Sequence, residues 1–245
     1  MQYWFLYFNY KKSFSIILLA VCDAQYNFTY VDIGAYGSQS DGGVLNNSSF
    51  GKNLFSNELN IPPPQELPYC QTNIKIPHFF VGDEAFPLRE NLMRPFSKSR
   101  EGLVPREERI FNYRLSRARR IIENSFGILV ARFRIFHRVI NGNPETVDGI
   151  VKAAVCLHNF IRKENNQLYI SDCDLDRDVE GHFIPGRWRN GVPKEGAALG
   201  QIPIRLGARN AQFSALTTRN HLKKYLNGPG AVFAPWQWDT IDRKN

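Results

Sequence analysis

Three acidic residues are placed where they could bind metal ions. Asp41 follows a strand-like run, Asp83 ends the short apolar run HFFVG, and Glu123 lies in a segment with helical periodicity. Carboxylates at the ends of neighbouring strands and on a crossing helix can converge on a pair of divalent cations. Such a pair activates a water molecule and stabilises the leaving oxygen of a phosphodiester. The pattern therefore indicates a metal-dependent site for phosphodiester chemistry.

Each of these acids also has a purely structural interpretation. Arg119 and Glu123 stand four residues apart, so Glu123 also fits an exposed ion pair worth about 0.3–0.5 kcal/mol. Asp83 fits the cap of the turn that follows it, and Ser40 or Asp41 fits the N-cap of a helix. The residue types alone leave these alternatives open.

Periodicity and proline positions predict the elements that must hold these residues. Residues 14–22 and 28–35 are strand-like runs separated by the turn-like DAQYN, which favours an antiparallel hairpin. One helix is predicted from about residue 107 to 126 or beyond, and a second from 145 to 164. Residues 51–77, with three consecutive prolines and no clear period, are predicted to form a surface loop.

The composition of the chain changes after residue 164. An acidic run is followed by many glycines and prolines and by the short amphipathic stretch TRNHLKKYL. We therefore expect a domain over residues 6–164, and an irregular C-terminal extension over residues 165–245 that packs partly against it.

The positive charge of the chain is concentrated in one segment. The net charge is +8, and residues 98–138 hold eleven basic and four acidic residues. A solvated surface would mix both signs, so this one-sided segment favours contacts with the phosphates of a nucleic acid. Arg114, Arg117 and Arg120 are the candidates for contacts with a DNA backbone.

Other kinds of site fit the sequence less well. The four cysteines show no C-x-x-C spacing, which argues against a disulfide scaffold and a cysteine-built zinc site. The run SDCDLDRDVEGHF begins like a calcium-binding loop, but Arg177 and Phe183 occupy the positions that need Gly and Glu. Residues 14–22 are too few to span a bilayer, so no membrane contact is expected. His158 or Asn159 is expected to bond a backbone group in the core.

Five blocks of the sequence, in order, resemble the DDE nuclease domain of PIF/Harbinger transposases and of the host nuclease-like proteins derived from them. The blocks are LYFNYKKSFSI, YVDIGAYGSQSDGGVLNNSSFG, FFVGDEAFPLRENLMRPF, EERIFNYRLSRARRIIENSFGILVARFRIF and AAVCLHNFIR. The resemblance extends over residues 6–164, and NGPGAVFAPWQW in the extension also resembles the end of that family. Five ordered blocks are a more specific signal than three acidic residues.

The resemblance implies an α/β fold with an RNase H-like mixed sheet flanked by helices, and a DNA endonuclease that acts by hydrolysis and strand transfer. Asp83 in VGDEAF matches the second catalytic Asp, and Glu123 in RRIIENSFG matches the catalytic Glu. Asp41 in GSQSDGG matches a further acidic position near the metals. The implied cofactor is Mg²⁺ or Mn²⁺, held by these three carboxylates. The implied partners are DNA and a Myb-like protein, and the implied location is the nucleus, with the cytoplasm as a second compartment.

The chain departs from the family pattern at its first catalytic residue. The family places that Asp in an Asp-Gly-x-His block on the first, central strand, and no such block occurs in residues 1–245. We therefore expect a sheet without its first central strand and a chain with little or no catalytic activity. An incomplete gene model and a decayed transposon copy both explain the departure. A non-catalytic module that binds DNA or a partner protein is the alternative function.

The basic segment predicts DNA binding that depends on salt. Binding should weaken as ionic strength rises, because contacts between arginines and phosphates release counterions from the DNA. A titration of KCl into a complex with labelled duplex DNA, followed by fluorescence anisotropy, measures this dependence. An affinity that stays constant across the titration would contradict the prediction.

Overall fold

The computed structural model of the chain has a mixed α/β structure, as expected. It describes residues 4–9, 11–70, 73–97, 102, 104–164, 166–193, 197–199 and 211–243. The strands in these residues pair as four two-stranded sheets. The RNase H-like arrangement in one sheet, and the absence of its first central strand, therefore stay predictions.

The predicted hairpin is confirmed, because the first two strands pair in antiparallel fashion with irregularities in register near each end. The fifth and sixth strands form a short parallel pair. The strands in the described residues are β1 Ile16–Cys22, β2 Phe28–Tyr36, β3 Gln65–Glu66, β4 Lys75–Ile76, β5 Phe80–Val81, β6 Leu92–Met93, β7 Arg177–Val179 and β8 His182–Ile184.

Both long helices occur where periodicity predicts them, and the first extends beyond the predicted end. The α-helices in the described residues are α1 Asp41–Asn47, α2 Ser49–Phe55, α3 Arg106–Arg132, α4 Pro144–Glu164, α5 Asn166–Tyr169, α6 Phe213–Asn227 and α7 Gln237–Asp242. Pro144 begins α4 because its fixed φ suits the first helical position and its missing N–H costs nothing there.

The chain divides into two compact units. Unit 1 comprises the described residues of Met1–Val44, Arg120–Arg177 and Phe183–Pro203. Unit 2 comprises the described residues of Leu45–Arg119, Asp178–His182 and Ile204–Asn245. Both units contain residues from each side of position 164, so the boundary predicted there stays a prediction.

The main core of unit 1 lies where the β1–β2 hairpin, α4 and the C-terminal part of α3 meet. The buried residues of this core are Phe28, Leu129, Val130, Phe136, Val151, Ala154 and Val155. Leu157 of α4, in contrast, is 48% exposed.

His158 and Asn159 bond backbone groups, as expected. The Asn159 side chain accepts a hydrogen bond from the Phe28 N–H (2.9 Å) and donates one to the Phe28 carbonyl (2.8 Å). His158 is fully buried, with Nε2 2.9 Å from the Tyr26 carbonyl oxygen and Nδ1 2.9 Å from the Tyr169 hydroxyl. A carbonyl can only accept, so Nε2 carries the proton and Nδ1 accepts from Tyr169. These bonds tie α4 to the hairpin.

Unit 2 has its own core, around the N-terminal part of α3 and α6. The buried residues of this core are Ile76, Leu88, Met93, Phe96, Phe111, Leu115, Ala215 and Leu222. Asn112 on α3 repeats the device seen at Asn159. Its side chain accepts from the Phe96 N–H (2.7 Å) and donates to the Phe96 carbonyl (2.9 Å).

The predicted irregular character of the extension is wrong for residues 211–243. This part contains α6 and α7, and it contributes Ala215, Leu222 and Ile241 to the cores of unit 2. Gln237 in α7 is fully buried and donates to the Leu226 carbonyl at 2.8 Å. The amphipathic stretch TRNHLKKYL lies within α6, and tertiary packing extends the helical structure beyond it.

The predicted surface loop over residues 51–77 is also corrected. The segment begins within α2 and contains β3 and β4, which pair with each other. Ser48 caps α2 by accepting a hydrogen bond from the Gly51 N–H at 2.9 Å. Within the described residues, no helix is long and apolar enough to cross a membrane.

The buried His158 predicts a loss of stability in acid. Burial lowers the pKa of His158 from its ordinary value of 6.5, so the folded chain favours the neutral imidazole. The unfolded chain takes up the proton first as the pH falls below about 6.5, which decreases the free energy of unfolding. The stabilising contribution of neutral His158 is therefore fully present above about pH 6.5 and decreases below it.

Urea unfolding of wild type and His158→Gln at about pH 8 and about pH 5.5 measures the effect. At the higher pH the variant should be less stable by about 1–3 kcal/mol, because glutamine does not keep both hydrogen bonds that His158 makes with Tyr26 and Tyr169. It should also lose less stability than wild type on acidification. Equal losses in the two proteins would contradict the role given to His158.

Candidate functional site

The three candidate metal ligands lie in different parts of the structure. Asp41 is the first residue of α1 and Glu123 lies in α3, and both belong to unit 1. Asp83 follows β5 and belongs to unit 2. Among the described residues, no group of three or more His, Cys, Asp and Glu side chains could hold a metal ion. Because the three carboxylates belong to two different units, their joint role as metal ligands stays a prediction.

Two structural alternatives considered from the sequence do occur. Ser40 caps α1, since its hydroxyl accepts a hydrogen bond from the Gly43 N–H at 3.2 Å. Asp83 caps the turn after β5, because its Oδ1 accepts from the Ala85 N–H at 2.9 Å. A capping carboxylate keeps its charge and its second oxygen, so the cap leaves the metal-binding role of Asp83 as a prediction.

The position after Glu123 anchors a distant loop to α3. Asn124 is 1% exposed and exchanges two hydrogen bonds with the backbone of Asp176. The Asp176 N–H donates to Asn124 Oδ1 at 2.8 Å, and Asn124 Nδ2 donates to the Asp176 carbonyl at 3.1 Å. The Trp188 indole N–H also donates to Asn124 Oδ1, at 3.0 Å. The loop that carries Asp176 and Trp188 therefore contacts the residue that follows Glu123.

A small residue on α3 lets the Trp188 ring approach the helix. Gly127 is one helical turn after Glu123, and a Cβ at residue 127 would overlap the atoms of the Trp188 ring. Trp188 lies in the short helical segment Arg187–Gly191, and Gly191 in turn contacts Ala131 of α3. Residues 187–191 therefore pack against α3 near Gly127 and Ala131.

Arg189 is the cationic residue that this segment places near Glu123. The Asp176 carboxylate accepts hydrogen bonds from Arg189 Nε, at 2.9 Å, and from Arg189 Nη2. The Asp176 side chain is completely buried. The hydrogen bond to Asp176 raises the pKa of the Arg189 guanidinium, burial opposes this, and the negative charges of Asp176 and Glu123 add to the increase. Glu123 therefore has a fixed positive charge in its surroundings.

The candidate DNA-binding arginines differ in their surroundings. Arg114 donates to Gln237 Oε1 at 3.0 Å and to the Gly230 carbonyl at 3.3 Å. Burial, and after it the positive charge of Arg117, lower the pKa of Arg114. These contacts give Arg114 a structural role inside unit 2, and its contact with DNA stays a prediction.

Arg117 and Arg120 pack on aromatic rings. In unit 2, the Arg117 guanidinium is 5.4 Å from the Trp236 ring centroid and 3.7 Å from an oxygen of Asp178. In unit 1, the Arg120 guanidinium is 5.4 Å from the Phe183 ring centroid. Arg120 is thus the candidate that belongs to the same unit as Glu123.

Sequence reasoning did not find the contributions of Asn124, Asp176, Trp188 and Arg189. The sequence analysis considered the acidic run only as a calcium-binding loop, which it rejected. It assigned Trp188 and Arg189 only to an irregular extension. A polar, poorly helix-forming Asn in the middle of a long helix was the one available signal, because such a residue needs a specific partner.

An α/β chain with acidic side chains after a strand and on a basic helix has the general features of a nuclease domain. Residues 5–159 match the family described as DDE superfamily endonuclease, and they include Asp41, Asp83 and Glu123. No curated protein and no solved structure matches the chain. The family match spans more than half of the 245 residues. The chain therefore belongs to the DDE superfamily of endonucleases.

The contact between Gly127 and Trp188 predicts an unusual effect of alanine substitution. Alanine normally stabilises a helix by about 1 kcal/mol relative to glycine. Gly127→Ala should instead destabilise unit 1, by about 1–3 kcal/mol, since the new methyl group displaces the Trp188 ring. Chemical unfolding measures the change, and tryptophan fluorescence reports the movement of the ring.

Gly149→Ala on α4 is the matched control. No atom lies within 4 Å of a Cβ at this position, so the ordinary helix preference should apply and the variant should be slightly more stable. If both variants gain stability, Trp188 does not pack on Gly127 as described.

Proposed function

We propose that the chain is a nuclease domain of PIF/Harbinger type that binds DNA, and that Asp83 and Glu123 are its catalytic carboxylates. The observation that carries the proposal is the family match, because it spans all three candidate acids. Asp41 is assigned as a further metal ligand. The cofactor is Mg²⁺ or Mn²⁺, since carboxylate oxygens are hard ligands that suit these ions. When bound, such ions supply electrostatic stabilisation of phosphodiester cleavage.

We further infer that the 245-residue polypeptide does not cleave DNA. Residues 1–245 contain no Asp-Gly-x-His block, which in the family supplies the first catalytic Asp. An incomplete set of carboxylates leaves the metal charges poorly compensated and weakens metal binding. Binding of DNA does not need that set, because arginines contact the phosphate backbone by themselves.

The second candidate function is a non-catalytic module that binds DNA or a partner protein. The arrangement of Asp83 favours it, since this carboxylate already stabilises a turn by accepting from the Ala85 N–H. This structural role of Asp83 does not require a bound metal ion, so the presence of Asp83 is also consistent with a non-catalytic protein. We propose the nucleus as the location, with the cytoplasm as a second compartment, and a Myb-like protein as partner, both by analogy with the family.

A plasmid nicking assay tests the catalytic proposal. The purified 245-residue protein, incubated with supercoiled DNA and Mg²⁺ or Mn²⁺, should leave the plasmid supercoiled, at the level of Asp83→Ala and Glu123→Gln. Binding of labelled duplex DNA, measured with the same preparations, should be retained in all of them, which shows that they are folded and engage the ligand.

Metal-dependent nicking that Asp83→Ala abolishes would overturn the assignment of inactivity and would establish an active nuclease. Loss of both nicking and DNA binding in wild type would overturn the proposed function as a whole. Lys152→Gln is a control, because this exposed residue on α4 pairs with the nearby Asp148 and lies outside the proposed site.

A further inference from the structure

Two arginines of unit 1 share one exposed aromatic ring. The Arg120 and Arg189 guanidinium carbons lie 5.4 and 5.6 Å from the centroid of the Phe183 ring. Phe183 is 53% exposed. Arg120 precedes Glu123 by three residues on α3, so both side chains emerge from the same side of the helix. We call Arg120, Phe183 and Arg189 the Phe183 cluster.

The Arg189 guanidinium is held in a fixed orientation. The Asp176 carboxylate, with no exposed surface, bonds its Nε and Nη2 atoms and is itself fixed by the Gly186 N–H at 2.7 Å. The Trp188 ring centroid lies 4.5 Å from the Arg189 guanidinium carbon. An arginine fixed in this way loses little conformational entropy when it binds an anion.

Arg189 retains capacity for a second acceptor. A guanidinium has five N–H donors, and the bonds to Asp176 involve only the Nε and Nη2 atoms. The donors of Nη1 take no part in that pair, and the Arg189 side chain is 45% exposed. A fixed guanidinium with one side bound to a carboxylate and another accessible to solvent suits an oxygen of a phosphate.

The ligand is identified by the position of the cluster. Two guanidiniums lie against one ring in the unit that holds Glu123, the carboxylate assigned to phosphodiester chemistry. A phosphate group with two or more negatively charged oxygens matches the pair.

We propose that Arg120 and Arg189, braced on Phe183, form a phosphate-binding pair that holds the DNA backbone next to Glu123. Arg189 thereby becomes a binding residue supplied by the C-terminal segment, outside the region that matches the family. The inference rests on the proposed function in one respect, which is that the ligand is DNA.

DNA binding without metal tests the pair separately from catalysis. The affinity of the 245-residue protein for labelled duplex DNA is measured by fluorescence anisotropy in EDTA, as KCl is increased. Arg189→Gln should reduce the slope of log affinity against log salt by about 0.9, which corresponds to a loss of about eightfold in affinity at about 0.1 M KCl.

Arg187→Gln is the matched control. Arg187 lies two residues earlier in the same short helix, is more exposed, and contacts Asp174 and Ser171. The two substitutions remove the same charge from the same segment. Arg187→Gln should therefore leave the salt slope unchanged, whereas a general effect of net charge would lower the affinity of both variants equally.

A second variant keeps the test valid if Arg189→Gln unfolds the loop. That substitution leaves the buried Asp176 carboxylate without its cation, which destabilises unit 1. Asp176→Asn combined with Arg189→Gln replaces the ion pair by an amide pair and leaves the net charge at its wild-type value. This double variant should show the same reduced slope as Arg189→Gln.

The proposal is overturned if the double variant binds DNA with the wild-type slope, or if Arg187→Gln and Arg189→Gln weaken binding equally. These outcomes are independent of the nicking assay. A selective loss in the Arg189 variants, with no nicking under any condition, would support the phosphate pair even if the chain is not a nuclease.

Discussion

The structure depends on one repeated interaction, in which a helical asparagine binds the backbone of a single distant residue through two hydrogen bonds. Asn112 binds Phe96, Asn124 binds Asp176, and Asn159 binds Phe28. An amide side chain offers an acceptor and a donor, as a strand edge does, and so satisfies both backbone polar groups of one residue. Each lost bond of this kind would leave a buried group unsatisfied, at a cost of about 1–3 kcal/mol.

The bond at Asn124 has the most consequences for function. It fixes Asp176, and the Asp176 carboxylate in turn fixes Arg189. The basic residues of α3 therefore do not form one uniform surface. Arg114 bonds partners inside unit 2, whereas Arg120 lies on the exposed ring of Phe183 in unit 1. A count of charges along the sequence gives the sign of the surface but does not show which groups each arginine contacts.

The sequence predicted the elements with a clear period and missed those that depend on distant partners. The hairpin and α4 were predicted because apolar runs on either side of a turn-like segment, and Pro144, are local signals. A bond from His158 or Asn159 to the backbone was also expected, since polar residues on an apolar helix face must find partners. The packing of residues 187–191 on α3 was not foreseen. It joins positions that are 64 residues apart at Trp188 and Asn124, and no local pattern records such a pair. The candidate acids were found by motif, but their assembly into a ligand set is a matter of tertiary geometry.

The packing of residues 229–242 on α3 also affects how the chain is made. Arg114 bonds Gln237, and the Tyr113 hydroxyl accepts from the Trp236 indole, in both cases across 123 residues. At a synthesis rate of about 5–20 residues per second, these partners emerge roughly 6–25 s after the helix. During that interval the Tyr113 and Arg114 side chains lack these two hydrogen bonds. The N-terminal part of α3 therefore completes its packing only after residues 229–242 have been made.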